Sequence, residues 1–270
     1  MNSRGRYKIG IFDSGLGGLS VLRTLWKETS NIDYIYFGDL VHSPYGQKSK
    51  QKVIELSKNA FEYLIEKDCE AVLFACNTAT SAAADFLRKQ HSIPIFGMEP
   101  AIKPALVENP GVKIAVFATE LTLKEEKFKN LVTGLTKGSE ILPVPCEGLA
   151  KLIDSDRWED AWDFLDAKIK MILPETDIIV LGCTHYVFLR ERIHYHYPNL
   201  KVYDGNLGTS LHMKKMLQLP DGSKENRNQL DILLNTSESD YVHLAGRIAK
   251  TITPNHTLSL INTTIGKLHV

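Results

Sequence analysis

Ala71-Val-Leu-Phe-Ala-Cys76-Asn-Thr78 reads as a short, continuously apolar strand that runs into a small residue, a cysteine and two polar residues opening a helix. A strand without polar alternation is buried on both faces, which is the condition of a parallel sheet covered by helices. The pattern returns late in the chain as Ile178-Ile-Val-Leu-Gly-Cys183-Thr-His185. Each copy stands late in a run of alternating strands and helices. The echo therefore points to two similar lobes, each carrying one cysteine.

Working outward, strands are expected at Lys8–Phe12, Tyr34–Phe37 and Pro94–Phe96, alternating with helices over Leu19–Glu28, Val53–Ile65 and Ser81–Gln90. The alternation resumes with strands at Lys113–Phe117, Ile141–Val144 and Val202–Tyr203. Helices are expected there over Lys124–Val132, around Leu149, and over Trp158–Leu173 and Leu189–Tyr195. From about Gly208 come a helix, a strand at Leu230–Leu234, a helix over Asp240–Thr251 and a strand-like run Thr257–Ile261. The expected class is α/β with parallel sheets. The expected division is one lobe of residues 1–98 plus 209–270 and a second of residues 99–208.

The 270 residues suit two modest lobes, and Lys plus Arg (32) balance Asp plus Glu (32). That balance leaves no long-range attraction for nucleic acid or an anionic membrane surface, so neither partner is expected. With 43% hydrophobic and 24% charged residues the composition is globular, and no apolar run is long enough to span a bilayer. Met1–Lys8 is polar and a strand follows at once, so no signal peptide is expected and the location expected is cytoplasmic.

Cys69, Cys76, Cys146 and Cys183 show no C-x-x-C spacing, and a reducing compartment argues against disulfides. A zinc site drawn from Cys183 and His185 has little support in spacing, and no metal is expected. Cys69 reads as a small buried hydrophobe. Cys76 and Cys183 are different, because each follows the carboxyl end of a parallel strand, where open α/β sheets bind ligands. A helix N-terminus there can lower a thiol pKa into the range of about 3.5 to 7.5. The pair, with polar neighbours Asn77, Thr78, Thr184 and His185, points to reactive thiols.

The first strand ends in Phe12-Asp13-Ser14-Gly15-Leu16-Gly17-Gly18-Leu19-Ser20. As a dinucleotide cradle the motif is faulty, since Ser20 stands where Gly or Ala is required and Asp13 would repel phosphate. A site for an ammonium group and a tight turn capped by Asp13 both remain open. After the second strand, Asp39-Leu-Val-His-Ser-Pro44-Tyr45-Gly46 is first a turn. It also suits a rigid loop offering Tyr45 and backbone N–H groups to a carboxylate. His194 and His196 lie on a polar helix end and read as solvated.

Taken together these motifs resemble the glutamate racemases of bacterial cell-wall synthesis. The matching runs are Phe12-Asp13-Ser14-Gly15-x-Gly17-Gly18-Leu19-Ser20-Val21, Asp39 with Pro44-Tyr45-Gly46 and Lys48-Ser49, Ala75–Ala79, and Leu181–Tyr186. They span about two-thirds of the chain in the family's order. The resemblance implies two flavodoxin-like lobes with the active site between them, no cofactor, glutamate as substrate, D-glutamate for peptidoglycan, and a homodimer. It implies Cys76 and Cys183 as the acid/base thiols, Cys183 acting on L-glutamate and Cys76 on D-glutamate. It further implies Asp13, Ser14, Tyr45, Gly46, Asn77, Thr78, Thr119, Thr184 and His185 as substrate contacts. Asp13 would also support Cys76, and His185 would support Cys183. The chain departs from the family at Val187, where Pro is common, at Glu125 and Phe128, near a Ser and a Tyr, and beyond Cys146, where a supporting Glu is either replaced by Asp154 or missing. The short segment before Lys8 lacks an extension that some members use for activation, so no such activator is expected. Two alternatives are weighed beside this. One is an aspartate or related amino-acid racemase; the other is a two-lobed protein that binds a small molecule without turning it over.

Overall fold

The computed structural model describes residues 6–126, 128–129, 139–223, 226–236 and 238–260. The strands are β1 (Tyr7–Asp13), β2 (Ile32–Gly38), β3 (Ala71–Phe74), β4 (Ile95–Gly97), β5 (Lys113–Ala118), β6 (Glu140–Pro145), β7 (Ile178–Leu181), β8 (Lys201–Asp204), β9 (Gln229–Leu234) and β10 (Thr257–Leu260). The helices used below are α1 (Leu19–Glu28), α2 (Lys50–Glu66), α3 (Asn77–Ala79), α4 (Asp85–Arg88), α5 (Ile102–Glu108) and α6 (Glu120–Lys124). They continue with α7 (Leu149–Asp154), α8 (Trp158–Ile172), α9 (Arg190–His196), α10 (Asn206–Leu217) and α11 (Ser239–Lys250). No helix among the described residues is long and apolar enough to cross a membrane.

Among the described residues, ten strands form two sheets, ordered β10-β9-β2-β1-β3-β4 and β6-β5-β7-β8, and every pairing of named strands is parallel. The second order repeats the β2-β1-β3-β4 core of the first, the flavodoxin-type arrangement. The inner strands β3 and β7 bury both faces, while the edge strands β6 and β10 are largely exposed. In β3, Ala71 and Leu73 join one apolar cluster while Val72 and Phe74 join the cluster on the other side. In β7, Ile179 and Leu181 face one cluster and Ile178 and Val180 the other. This two-sided burial explains why these strands read as unbroken apolar runs.

The two sheets repeat each other at their carboxyl ends. Ala75 N–H donates to Phe12 O at 2.8 Å, and Gly182 N–H donates to Phe117 O at 2.7 Å. In each lobe the small residue before the cysteine thus extends the pairing with the first strand. The cysteine then falls at the point where strand order reverses, beside the β1 or β5 terminus. The chain passes from the first sheet to the second after β4 and returns after β8. The crossings touch, since a Cβ on Gly205 would lie 2.5 Å from Met98 Sδ and 2.7 Å from Glu99 O.

Several element bounds differ from expectation. The helix expected from Ser81 begins at Asn77 and passes through a π-helical turn, Thr80–Ala84, before α4. Ahead of the helix expected over Lys124–Val132 stands α6, capped by the Thr119 side chain and ended where Glu125 turns extended (ψ 143°); Glu126, Phe128 and Lys129, of the expected span, are helical. Residues 130–138, and Ile261 of the last expected strand, lie outside the described residues. Helix α5 stands outside the expected elements; its Pro104 sits in the first turn, where a missing N–H costs nothing.

Candidate active site

Cys76 caps the start of α3, its Sγ accepting from Ala79 N–H at 3.4 Å and lying 3.4 Å from Ser14 Oγ. Cys183, after β7, has its Sγ 3.7 Å from His185 Nδ1. The two thiols, one from each sheet, line one cavity with a free volume of about 20 Å³. Ser14, Tyr45, Gly46, Asn77, Thr78, Thr119, Thr184 and His185 line it as well. Asp13, the remaining residue singled out from sequence, is fully buried at its edge. It accepts from Gly15 N–H through Oδ1 (2.9 Å) and from the Thr184 hydroxyl through Oδ2 (3.0 Å).

The glycine-rich turn works differently from a phosphate cradle. A Cβ on Gly17 would lie 2.3 Å from His185 Nδ1 and 2.4 Å from Thr184 Oγ1, and one on Gly15 would lie 2.3 Å from Asp154 Oδ2. These glycines let the turn after β1 close against the other lobe. Ser20, the residue that spoiled the dinucleotide motif, donates to Thr184 O at 3.0 Å and accepts from Asn206 Nδ2 at 3.2 Å. The turn is an interlobe contact.

Charge in the cleft is arranged asymmetrically. Burial opposes an imidazolium at His185, but the Asp154 carboxylate 2.9 Å from Nε2, together with Cys183, holds its pKa well above the ordinary value. Leu16 N–H also donates to Asp154 Oδ1 (3.2 Å), and the Gly17 amide nitrogen lies 3.1 Å from His185 Nε2. Burial raises Asp13 above the usual carboxylate range, with His185 pulling it back. Cys76 corrects an expectation. Burial, followed by the Asp13 carboxylate, pushes its thiol up to about 12, against the lowering expected from a helix start. A helix terminus contributes a fraction of a charge, and here it does not offset desolvation.

The threonines form a cluster across the cleft. Thr78 Oγ1 lies 3.0 Å from Thr119 Oγ1 and 3.3 Å from Thr122 Oγ1, and the last two are 2.9 Å apart. Asn77 Oδ1 is buried with no hydrogen-bond partner among the described residues. Of the departures, Asp154 stands behind His185, Glu125 pairs with Lys50 at 2.5 Å, and Val187 and Phe128 are buried. Cys69 and Cys146 are buried thiols, each pushed up to about 12 by burial. His194 and His196 are exposed. Ser43, Pro44 and Gly182 of the cavity wall lie in the motif runs without being singled out, whereas Ala150 in the wall and Asn235, which donates to Asp39 Oδ1 at 2.5 Å, escape the sequence reading altogether. Asn235 follows β9, and nothing in its own sequence context ties it to a loop formed nearly two hundred residues earlier. No three or more His, Cys, Asp or Glu among the described residues are placed to share a metal ion.

A cleft with a buried thiol from each of two α/β lobes, and a histidine–carboxylate pair behind one thiol, is that of an enzyme moving protons on a small polar substrate. Residues 31–208 match the Asp/Glu/hydantoin racemase family. The chain is 47% identical over 247 residues to glutamate racemase of Leptospira interrogans, covering 89% of this chain and 96% of that one. It is 41% identical over 247 residues to glutamate racemase of Clostridium perfringens, covering 89% and 95%. The structure matches that of Escherichia coli glutamate racemase, solved with L-glutamate and the activator UDP-MurNAc-Ala, at a TM-score of 0.80 and 25% identity. That match covers 95% of this chain and 98% of the other. The chain belongs to the Asp/Glu/hydantoin racemase family and, within it, to the glutamate racemases.

Proposed function

We propose that the protein interconverts L- and D-glutamate by proton transfer between Cys76 and Cys183. The observation that carries this is the pair of thiols, one from each sheet, lining one cavity. In the L-to-D direction Cys183, as thiolate with the His185 imidazolium as counter-ion, takes the Cα proton. The C–H electron pair moves into the α-carboxylate, and the Cys76 S–H protonates the opposite face of Cα. Cys183 is then thiol and Cys76 thiolate, so the reverse direction uses each in the other role. The high pKa of Cys76 keeps it protonated, which suits it as the acid of the L-to-D step.

Charge developing on the carboxylate requires fixed donors in a dry site. Asn77, Thr78, Thr184 and the amides at the starts of the helices after each cysteine are the candidates. Asp13 and the unpartnered Asn77 Oδ1 suit the substrate ammonium, whose arrival lowers the cost of a nearby thiolate at Cys76. Residues 1–98 with 209–270 would form one lobe and 99–208 the other. The same reading gives a cytoplasmic homodimer that needs no cofactor and supplies D-glutamate to peptidoglycan.

The test is incubation of L-glutamate with the pure protein in heavy water, without added cofactor, sampled early. D-Glutamate carrying deuterium at Cα, beside unreacted L-glutamate that keeps protium, is the expected result. Faster turnover of aspartate would assign the chain to that substrate. Binding of glutamate without hydrogen exchange would leave only a binding protein.

A further inference from the structure

Asp39 follows β2 and begins the loop that carries Ser43, Pro44, Tyr45 and Gly46 into the cavity wall. Its carboxylate is buried, and three side chains converge on it. The Tyr45 hydroxyl donates to Oδ2 at 2.5 Å, Asn235 Nδ2 donates to Oδ1 at 2.5 Å, and His42 Nδ1 lies 2.7 Å from Oδ1. Asn235 returns the grip, since its Oδ1 accepts from Val41 N–H at 3.2 Å. The backbone joins in, with Asp39 N–H donating to Asp13 O at 3.0 Å. One residue, through its carboxylate and its backbone N–H, therefore ties together the ends of β1 and β9 and both halves of the loop.

The loop it fixes has little freedom to misplace itself harmlessly. Tyr45 is buried against Phe12, with ring centroids 6.0 Å apart. A Cβ on Gly46 would lie 2.8 Å from Thr119 Cβ on the far side of the cleft. The Tyr45 hydroxyl is spent on Asp39, so what the loop offers a substrate is its backbone N–H groups and the surface of the wall. We infer that Asp39 is a positioning residue for the reaction, holding Tyr45 by its hydroxyl and, with Asn235, setting the Ser43–Gly46 loop at the distance that binds substrate.

This inference rests on the glutamate racemase reading and fails separately from it. A wild-type protein that does not exchange the α-hydrogen of glutamate sinks that reading. Given an active wild type, the inference is tested by steady-state kinetics of Asp39→Asn, Tyr45→Phe, Asn235→Ala and the double variant Asp39→Asn/Tyr45→Phe. A loop that binds ground state and transition state alike gives a raised KM with kcat preserved. The expected KM increases are roughly tenfold for Asp39→Asn and Tyr45→Phe and smaller for Asn235→Ala, with kcat within about twofold. The double variant should fall short of the product of the two single effects, because both changes remove the shared Tyr45–Asp39 contact. If Asp39→Asn does not fold, Tyr45→Phe and Asn235→Ala decide. An unchanged KM in any variant that folds, a kcat loss without a KM change, or effects of Asp39→Asn and Tyr45→Phe that multiply would overturn it.

Discussion

Asp154 stands behind His185 and, against the opposing effect of burial, raises its pKa, and that makes the protein's stability depend on pH in a definite direction. The folded-state pKa of His185 lies above the unfolded value of about 6.5. The folded chain thus holds the proton more tightly than the unfolded chain. The stabilisation is complete below the unfolded value and is lost as pH rises through the folded one. Wild-type thermal midpoints should therefore fall between neutral and alkaline pH more steeply than those of Asp154→Asn, in which the imidazolium has no carboxylate. Parallel pH profiles of the two proteins would show that the pair carries no such linkage. The site residues legible in sequence were those in a strand-end motif: Asp13, Cys76 and Cys183 each follow an apolar run that announces its own end. Asp154 and Asn235 sit in no such run and enter the site only through the fold. Burial of Cys76 was equally hidden, since a helix start can be read from sequence but the protein packed over it cannot.

At the level of elements, α2 and α6 are held across the cleft by Lys50 and Glu125, which come to 2.5 Å. Glu125 is buried while Lys50 is about half exposed (53%). Removing the lysine leaves a buried carboxylate without its ion-pair partner, which costs about 1–3 kcal/mol, toward the lower end because the pair borders solvent. Lys50→Ala should lower the thermal midpoint accordingly, and Lys50→Ala/Glu125→Gln should recover part of the loss. An unchanged midpoint in the single variant would mean that solvent supports Glu125 unaided. Strands were the most legible elements, because burial on both faces writes itself as Ala71–Phe74 and Ile178–Leu181. Helix starts were less so: the π-helical turn at Thr80–Ala84 shifts the apolar phase, and α3 hides before it.

For the whole molecule the decisive dimension is the cavity. About 20 Å³ of free space holds a single water and no amino acid. Substrate entry and product exit therefore require the walls to part, and such motions often set kcat. Turnover should slow as sucrose raises solvent viscosity, while a polymer that raises bulk viscosity alone leaves it unchanged. A kcat indifferent to sucrose would place the slow step in proton transfer.

The sheet order also carries a consequence for synthesis. Strand β2 is paired on one side by β1 and on the other by β9, which the chain reaches only after the entire second sheet. Until Gln229–Leu234 emerges, the Ile32–Gly38 edge of a growing chain is bare, apolar and open to any passing strand. The contacts that close it are long in sequence separation and correspondingly slow to form. The nascent first lobe therefore carries an adhesive flank until the whole second sheet has been made, and a segment beyond that sheet is what seals it.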